Sequence, residues 1–386
     1  MKRLLTFFLI CFSFVEYTRA EDIIDYKYWD EGKLTWDDFQ DTLSLKGVPS
    51  AFNAFLRIEK TEKRDGNTRT IRPEAQACFD KRHSFADRQI QNENLLRLFQ
   101  LKYDLLEMYR RRLQTELNLG VVGIAADNRT RQYMDLYTEK SKKAEQETEN
   151  GQNEIKLQEW AFYVTKELIE NPAPSIPRIS PRRFGYGFYL GTGASFPVGS
   201  IADYWDPAWQ INVGFDLAYA NTHLLCDFSA GTARTRQEII VSNGQITDKW
   251  LRNGHNTYTS ISLGIGQQLI STKYFALMPY VGCIWSGYSD QAKIQEGRNE
   301  RTTLSYTNFN WTAGICFDYR FSTTISLVPS FWRGHREIFT ASIRTKLFIN
   351  REQYKNFNAI EGNMIRGCKL GFSVACLGFS RLLQIK

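Results

Sequence analysis

The sequence predicts two halves of different class: an N-terminal half that reads helical, then an all-β transmembrane barrel of about eight antiparallel strands. Three observations carry this. Apolar residues recur at helical spacing before residue 171 and with a period of two after residue 183. The run NPAPSIPRISPRR, residues 171–183, separates the regimes with four prolines. The gaps between the period-two segments then alternate between short and long.

The chain begins with the pattern of a secretory leader. Lys2 and Arg3 precede an apolar run from Leu4 to Val15, and Thr18-Arg19-Ala20 places small residues at −3 and −1. Residues 1–20 are therefore expected to be a signal peptide cleaved after Ala20. Cys11 follows Ile10, where a lipidation site needs a small residue. No later stretch reaches about 18 apolar residues, so no transmembrane helix is expected. Six cysteines follow the leader, without a C-x-x-C pair. Several fall in apolar strand patterns, where buried thiols are the expected reading. The net charge is +7. Its one dense basic run, Arg110-Arg111-Arg112, shares a helix with Glu107 and Glu116 and reads as a solvated face rather than a nucleic-acid patch.

Residues 21–170 form the expected first domain. Leu95, Leu98, Phe99, Leu105, Leu106, Tyr109 and Leu113 make one apolar helical stripe. A second helical segment covers about 128–170, interrupted at Asn150-Gly151. The proline-rich stretch 171–183 is the expected stiff linker.

Residues 184–386 carry the period of two. In WQINVGFDLAYA (209–220) one face is Trp209, Ile211, Val213, Phe215, Leu217 and Tyr219, and the other is polar or small. FNWTAGICFDYRF (309–321) behaves alike. Segments near 184–196, 223–235, 256–270, 274–289, 338–349 and 367–381 repeat the pattern. Tight connections are expected at 220–223, 271–273 and 322–324, and long ones at 197–207, 236–255, 290–305 and 350–366. Tyr186, Tyr219, Tyr274, Trp285 and Tyr319 near strand ends suit interface girdles. The segment ISLVPSFWRG (325–334) leaves ten strands open. This half resembles the generic outer-membrane β-barrels of Gram-negative bacteria, by pattern over about 200 residues and without a specific motif. An eight-stranded barrel is filled by its own side chains, which favours an anchor over a pore.

Three short stretches organise the first half: LTWDDF (34–39), CFDKRHSF (78–85) and QETENGQNEIKLQEW (146–160). With the helix LLRLFQLKYDLLEMYRRRL (95–113), they resemble a secreted bacterial family of unknown function with zinc-peptidase-like domains. In that family the helix reads H-E-Q-x-H-F-D and a downstream E-T-x-H-G supplies a further histidine. The resemblance implies an α+β, zincin-like N-terminal domain, with two histidines four apart binding Zn²⁺ and a glutamate acting as base. Frame residues match: Leu95, Leu96, Gln100, Asp104, Glu147, Thr148, Gly151, Gln158 and Trp160, with Tyr103 replacing Phe. The chemical positions do not. Leu98 and Lys102 stand at the ligand positions, Phe99 at the base and Asn150 at the downstream histidine. Only His83 precedes the linker. The resemblance thus implies an inactive scaffold, with no catalytic, cofactor-binding or metal-binding residue; an unrelated helical domain is the alternative.

Weaker features have plain readings. Asp37-Asp38 suits a turn or helix cap. Asn128-Arg129-Thr130 is a sequon-like triplet, GTGASFPVG (191–199) lacks a phosphate-loop frame, and His335 between Arg333 and Arg336 suits a rim. The functional expectation is a non-catalytic binding or scaffold protein anchored in the outer membrane, with its first domain in the periplasm. Its expected partners are outer-membrane lipid and a periplasmic protein, peptide or envelope polymer, with no nucleic acid and no cofactor. Two alternatives remain: a small channel or transporter with Asp216, Asp318 and Arg320 in its lumen, and an active metal-dependent hydrolase.

Overall fold

The computed structural model describes residues 26–41, 49–175, 177–242, 247–290, 305–328, 336–358 and 364–385. The expected signal peptide and His335 lie outside them. The chain divides into two compact units: Met1–Glu59 with Glu74–Ser175, and Lys60–Pro73 with Ile176–Lys386.

The first unit begins with β1 (Tyr26–Tyr28) and two single 3-10 turns, Trp29–Glu31 and Trp36–Asp38. Then come β2 (Ser50–Ala51), β3 (Ala54–Asp65), β4 (Thr68–Asp80) and β5 (Phe85–Ala86), of which the adjoining ends of β3 and β4, Lys60–Pro73, belong to the second unit. β3 and β4 pair as a hairpin that the sequence reading did not anticipate; β1 lies antiparallel to the end of β4, and β2 pairs with β5. Three helices follow: α1 (Glu93–Leu119), α2 (Ile124–Glu147) and α3 (Glu154–Glu170). The break between α2 and α3 falls at the expected Asn150-Gly151, where Glu149, Asn150 and Gly151 take positive φ.

α1 organises this unit and packs against both other helices. Asn92 caps it by accepting from the Leu95 amide at 2.8 Å, and Gly120 ends it at φ 124. Leu98, Tyr103, Leu105, Leu106, Tyr109 and Leu113 are fully buried along it. Because α1 is enclosed on most sides, its polar residues need partners inside the fold. This corrects the reading of the basic run. Arg110 and Arg111 clamp the buried Glu107 carboxylate at 2.5 and 2.8 Å, and only Arg112 is exposed.

The second unit holds an eight-stranded closed barrel. Its strands are β6 (Ile179–Val198), β7 (Ala208–Tyr219), β8 (Thr222–Arg234), β11 (His255–Gln267), β13 (Phe275–Asp290), β14 (Ser305–Ser326), β15 (Glu337–Asn358) and β16 (Met364–Ile385). Between these lie the short strands β9 (Ile239–Ser242), β10 (Thr247–Trp250) and β12 (Ile270–Ser271). Each barrel strand is antiparallel to the next, and β16 closes on β6 through pairs such as Cys376↔Leu190. Eight strands close the barrel, not ten.

Two connections differ from expectation. The expected turn at 322–324 lies inside β14, just past an irregularity between Arg320 and Ser322. Much of the expected loop 350–366 is strand, because β15 and β16 keep pairing outward through Asn350↔Lys369 and Glu352↔Gly367. Of 325–334, Ile325 and Ser326 extend β14, and 329–335 fall outside the described residues. The linker is also shorter than expected. β6 begins at Ile179 and Pro181 pairs with Leu383, whereas pairing with β7 starts only at Phe184. Pro181 therefore sits where the strand has one neighbour, a place that tolerates its missing N–H. Residues Thr68–Ile71 of β4 run parallel to Thr323–Ser326 of β14. They cover the β14 edge beyond the end of β13, which would otherwise offer unpaired backbone.

The barrel is built inside out relative to a water-soluble protein. In β7, Trp209, Ile211, Phe215 and Tyr219 are 65, 58, 55 and 61 % exposed, while Gln210, Asn212 and Asp216 are 5, 5 and 0 % exposed. β14 presents Phe309, Trp311, Ile315, Phe317 and Tyr319 outward in the same way, as do Ile261, Leu263 and Ile265 on β11. A continuous apolar exterior of this kind is matched by hydrocarbon, not water. Of the expected girdle residues, Tyr219, Tyr274, Trp285 and Tyr319 are exposed and Tyr186 is half-buried. Among the described residues no helix is long and apolar enough to cross a membrane.

Candidate functional site

Two regions bear on function: the stretch of α1 that resembles a metal site, and the barrel interior. On α1, Leu98 and Phe99 are buried. Phe99 lies among Phe39, Phe52 and Trp36, with ring centroids 5.2, 5.5 and 6.3 Å away. Lys102 is buried too. Its ammonium lies 2.5 Å from Glu145 Oε1 and 4.7 Å from the Phe52 ring centre. Asn150 sits in the α2–α3 turn at φ 55. That turn touches the start of α1, since a Cβ on Gly151 would lie 3.1 Å from the Asn94 carbonyl oxygen. The fold thus brings together the segments the sequence singled out, but with an ion pair and aromatic rings between them. Among the described residues no three His, Cys, Asp or Glu side chains are placed to hold a metal.

The matching frame residues work as fasteners. Gln100 Oε1 accepts from the Leu34 amide at 2.8 Å, and its amide nitrogen donates to Asp104 Oδ1 at 2.7 Å. Trp29 Nε1 donates to the same Asp104 oxygen at 2.9 Å. Burial pushes the Asp104 carboxyl up, against the pull of these two donors. Tyr103 Oη donates to the Lys27 carbonyl at 2.6 Å, and Trp160 Nε1 donates to Glu147 at 2.8 Å. Asp38 is a cap, not a catalytic acid: it accepts from the Thr35 amide at 2.9 Å and from Lys27 Nζ at 2.6 Å. Burial would raise its carboxyl, but Lys27 and the Thr35 amide hold it below its ordinary value. His83, the remaining histidine of this half, is exposed and 2.8 Å from Asp80.

The barrel interior is tiered along the inward positions of β15. Nearest the short turns, Arg344 donates to Asp318 at 2.7 and 2.9 Å and to Asp216 at 2.8 Å, and Asp216 is 2.7 Å from His223 Nδ1. In the middle, Lys346 reaches Asp227 at 2.5 Å, and Tyr189 and Ser262 also donate to that carboxylate. Free space beside this tier is about 30 Å³, room for a water or two. Towards the long loops, Glu352 accepts from Ser286 and Tyr354 and lies 3.4 Å from Lys369. The Lys369 ammonium sits over the Tyr258 and Tyr288 rings at 3.7 and 4.4 Å. Trp205 stacks on Tyr288 with centroids 4.6 Å apart, and Trp250, Tyr354, Ile239 and Ile365 complete this plug.

Asp216 and Asp318 are thus lumenal as expected, but tied to Arg344 rather than lining an open path. Sequence reasoning missed Arg344, Lys346, Asp227, Glu352 and Lys369. The available signal was a charge at alternate positions of a strand whose other face is apolar.

No family model and no curated protein matches this chain. Solved structures with which it shares some likeness include the attachment invasion locus protein Ail of Yersinia pestis, in complex with the heparin analogue sucrose octasulfate. The two are 11 % identical over 51 % of this chain and 99 % of that one, with a TM-score of 0.27. The N-terminal β-barrel domain of Pseudomonas aeruginosa OprF is 9 % identical over 51 % of this chain and 99 % of that one, with a TM-score of 0.24. Neisserial surface protein A is 9 % identical over 53 % and 98 %, also with a TM-score of 0.24. At these scores the barrel assignment rests on the strand register alone.

Proposed function

We propose that the chain is an outer-membrane protein whose barrel is an anchor and whose first unit is a non-catalytic binding or scaffold module in the periplasm. The observation that carries the anchor reading is the filled interior inside an apolar exterior. Three successive charge tiers run along the inward positions of β15, and an aromatic plug of Trp205, Trp250, Tyr288 and Tyr354 lies at the long-loop end. A channel would need these removed together. The periplasmic placement is supported by connectivity: the chain enters the barrel at Ile179, at the end that carries the two-residue turn 220–221, and short turns face the periplasm in bacterial barrels.

The non-catalytic reading is supported by what occupies the ligand positions. Leu98 and Phe99 fill the core, and a cation at Lys102 would repel Zn²⁺. The first unit is thus read as a peptidase-like frame kept for its shape. Single-channel recording on the purified full chain in planar bilayers tests the anchor. The expected result is no conductance above bare lipid; steady ion-selective steps would overturn it. Zinc analysis and peptidase assay on the same preparation test the first unit, and one zinc per chain with hydrolysis would overturn its reading.

A further inference from the structure

The barrel interior is not filled evenly. At its short-turn end lies a cavity of about 290 Å³, tenfold larger than the space beside the middle tier. Its rim carries the exposed residues Pro181 and Ser271, so it opens to solvent. Its floor is Arg344 with His223, both more than nine-tenths buried.

The charge balance there is uneven. Three guanidinium groups line the cavity, Arg320, Arg344 and Arg381, one each from β14, β15 and β16, against one lining carboxylate, Asp318, which Arg344 already holds. Only Arg344 has carboxylate partners. Arg320 donates to the Thr272 carbonyl at 2.7 Å and Arg381 to the Ala220 carbonyl at 2.5 Å, and among the described residues neither has an acidic neighbour in ion-pair range. One buried donor on the floor is also unsatisfied: among the described residues Arg344 Nη1 has no hydrogen-bond partner. Buried polar atoms left without partners cost free energy, which a bound acceptor would recover. Leu377 and Phe379, on the same strand as Arg381, add an apolar stretch to the lining.

We propose that this cavity binds a small organic carboxylate, its charged head among Arg320, Arg344 and Arg381 and a short apolar tail against Leu377 and Phe379. Guanidinium forks match a carboxylate in a paired geometry, and the volume lies at the small end of ligand-binding pockets. The closed middle and loop tiers make the site a blind pocket, so its ligand enters and leaves by the short-turn end. The site goes beyond anchoring and does not depend on what the first unit binds.

The test is calorimetric titration of the full chain in uncharged detergent with butyrate, blanked against empty micelles. Butyrate is expected to bind one per chain. Arg320→Gln and Arg381→Gln are each expected to weaken it at least tenfold, and butan-1-ol is expected not to bind. These arginines hold backbone carbonyls rather than buried carboxylates, so the barrel should persist, read as faster migration of the unheated chain on a gel. If either fails to fold, Phe379→Ala gives a second reading: it should weaken butyrate more than acetate. No butyrate binding, equal binding of butan-1-ol, or butyrate affinity unchanged in both folded arginine variants overturns the site. Displacement by inorganic phosphate as effective as by butyrate itself overturns the apolar stretch as a determinant. Failure here leaves the anchor reading intact, because conductance reads the middle and loop tiers.

Discussion

Lys102 on α1 and Glu145 on α2 hold each other at 2.5 Å, with the Lys102 ammonium 4.7 Å from the Phe52 ring centre. The two partners are unequally enclosed, with side chains 10 and 33 % exposed. Removing the carboxylate strands a cation among Phe52 and Phe99; removing the cation leaves a carboxylate that water can reach. Glu145→Gln is therefore expected to cost about 2 kcal/mol and Lys102→Met less than about 1 kcal/mol. Urea unfolding of the full chain in detergent, followed by helical circular dichroism, reads this difference. Equal costs would count against it.

If the frame of α1 and the α2–α3 turn is that of a peptidase, histidines at the lost positions should find one another. The contact between Gly151 and the first turn of α1 already brings the segments together. The triple variant Leu98→His, Lys102→His, Asn150→His is expected to take up one zinc per chain by metal analysis, and the parent chain none. A folded triple variant that stays metal-free would remove the support for a peptidase-like frame.

The barrel was legible where one strand face meets lipid and the other the lumen, as in 209–219 and 309–321, because alternation there is uninterrupted. It faded towards the loop ends of β15 and β16, where outward positions such as Arg351 become polar again. The β3–β4 hairpin escaped notice because its tip, KTEKRDGNTRTIR, is charged on both faces, although Asp65-Gly66 is a hairpin turn signal. The lumen network was half visible. Arg344 and Lys346 stand on the polar face of their strand, but Asp216, which Arg344 binds, lies 128 residues away. Only the register brings them together.

The first unit carries two carboxyls shifted in opposite directions. Asp38 is held below its ordinary value of 3.8, so its contribution to folding is present above 3.8 and lost as pH falls through its lower folded value. Asp104 is raised, so its contribution is full below 3.8 and lost as pH climbs through its higher folded value. Asp38→Asn should therefore speed amide exchange in 34–39 several-fold at pH 7, with the gap narrowing as pH falls below 3.8. Asp104→Asn, which keeps the acceptor for Trp29 without the charge, should be neutral or protective at pH 7. Hydrogen exchange with mass spectrometry reads both, and an Asp38→Asn gap that widens on acidification would refute the assignment.

Arg344 satisfies two lumenal carboxylates at once, Asp216 and Asp318. Arg344→Met would leave two enclosed carboxylates facing each other and His223, a loss of about 3–5 kcal/mol for a broken buried pair. The urea midpoint of the fast-migrating unheated form should drop accordingly. Adding Asp318→Asn should recover part of the loss, because one of the two abandoned charges is gone. Conductance should stay absent in both variants. The Lys346–Asp227 pair and the aromatic plug around Tyr288 block the path independently, so a destabilised barrel that still passes no ions is what separates an anchor with a structural charge network from a gated pore.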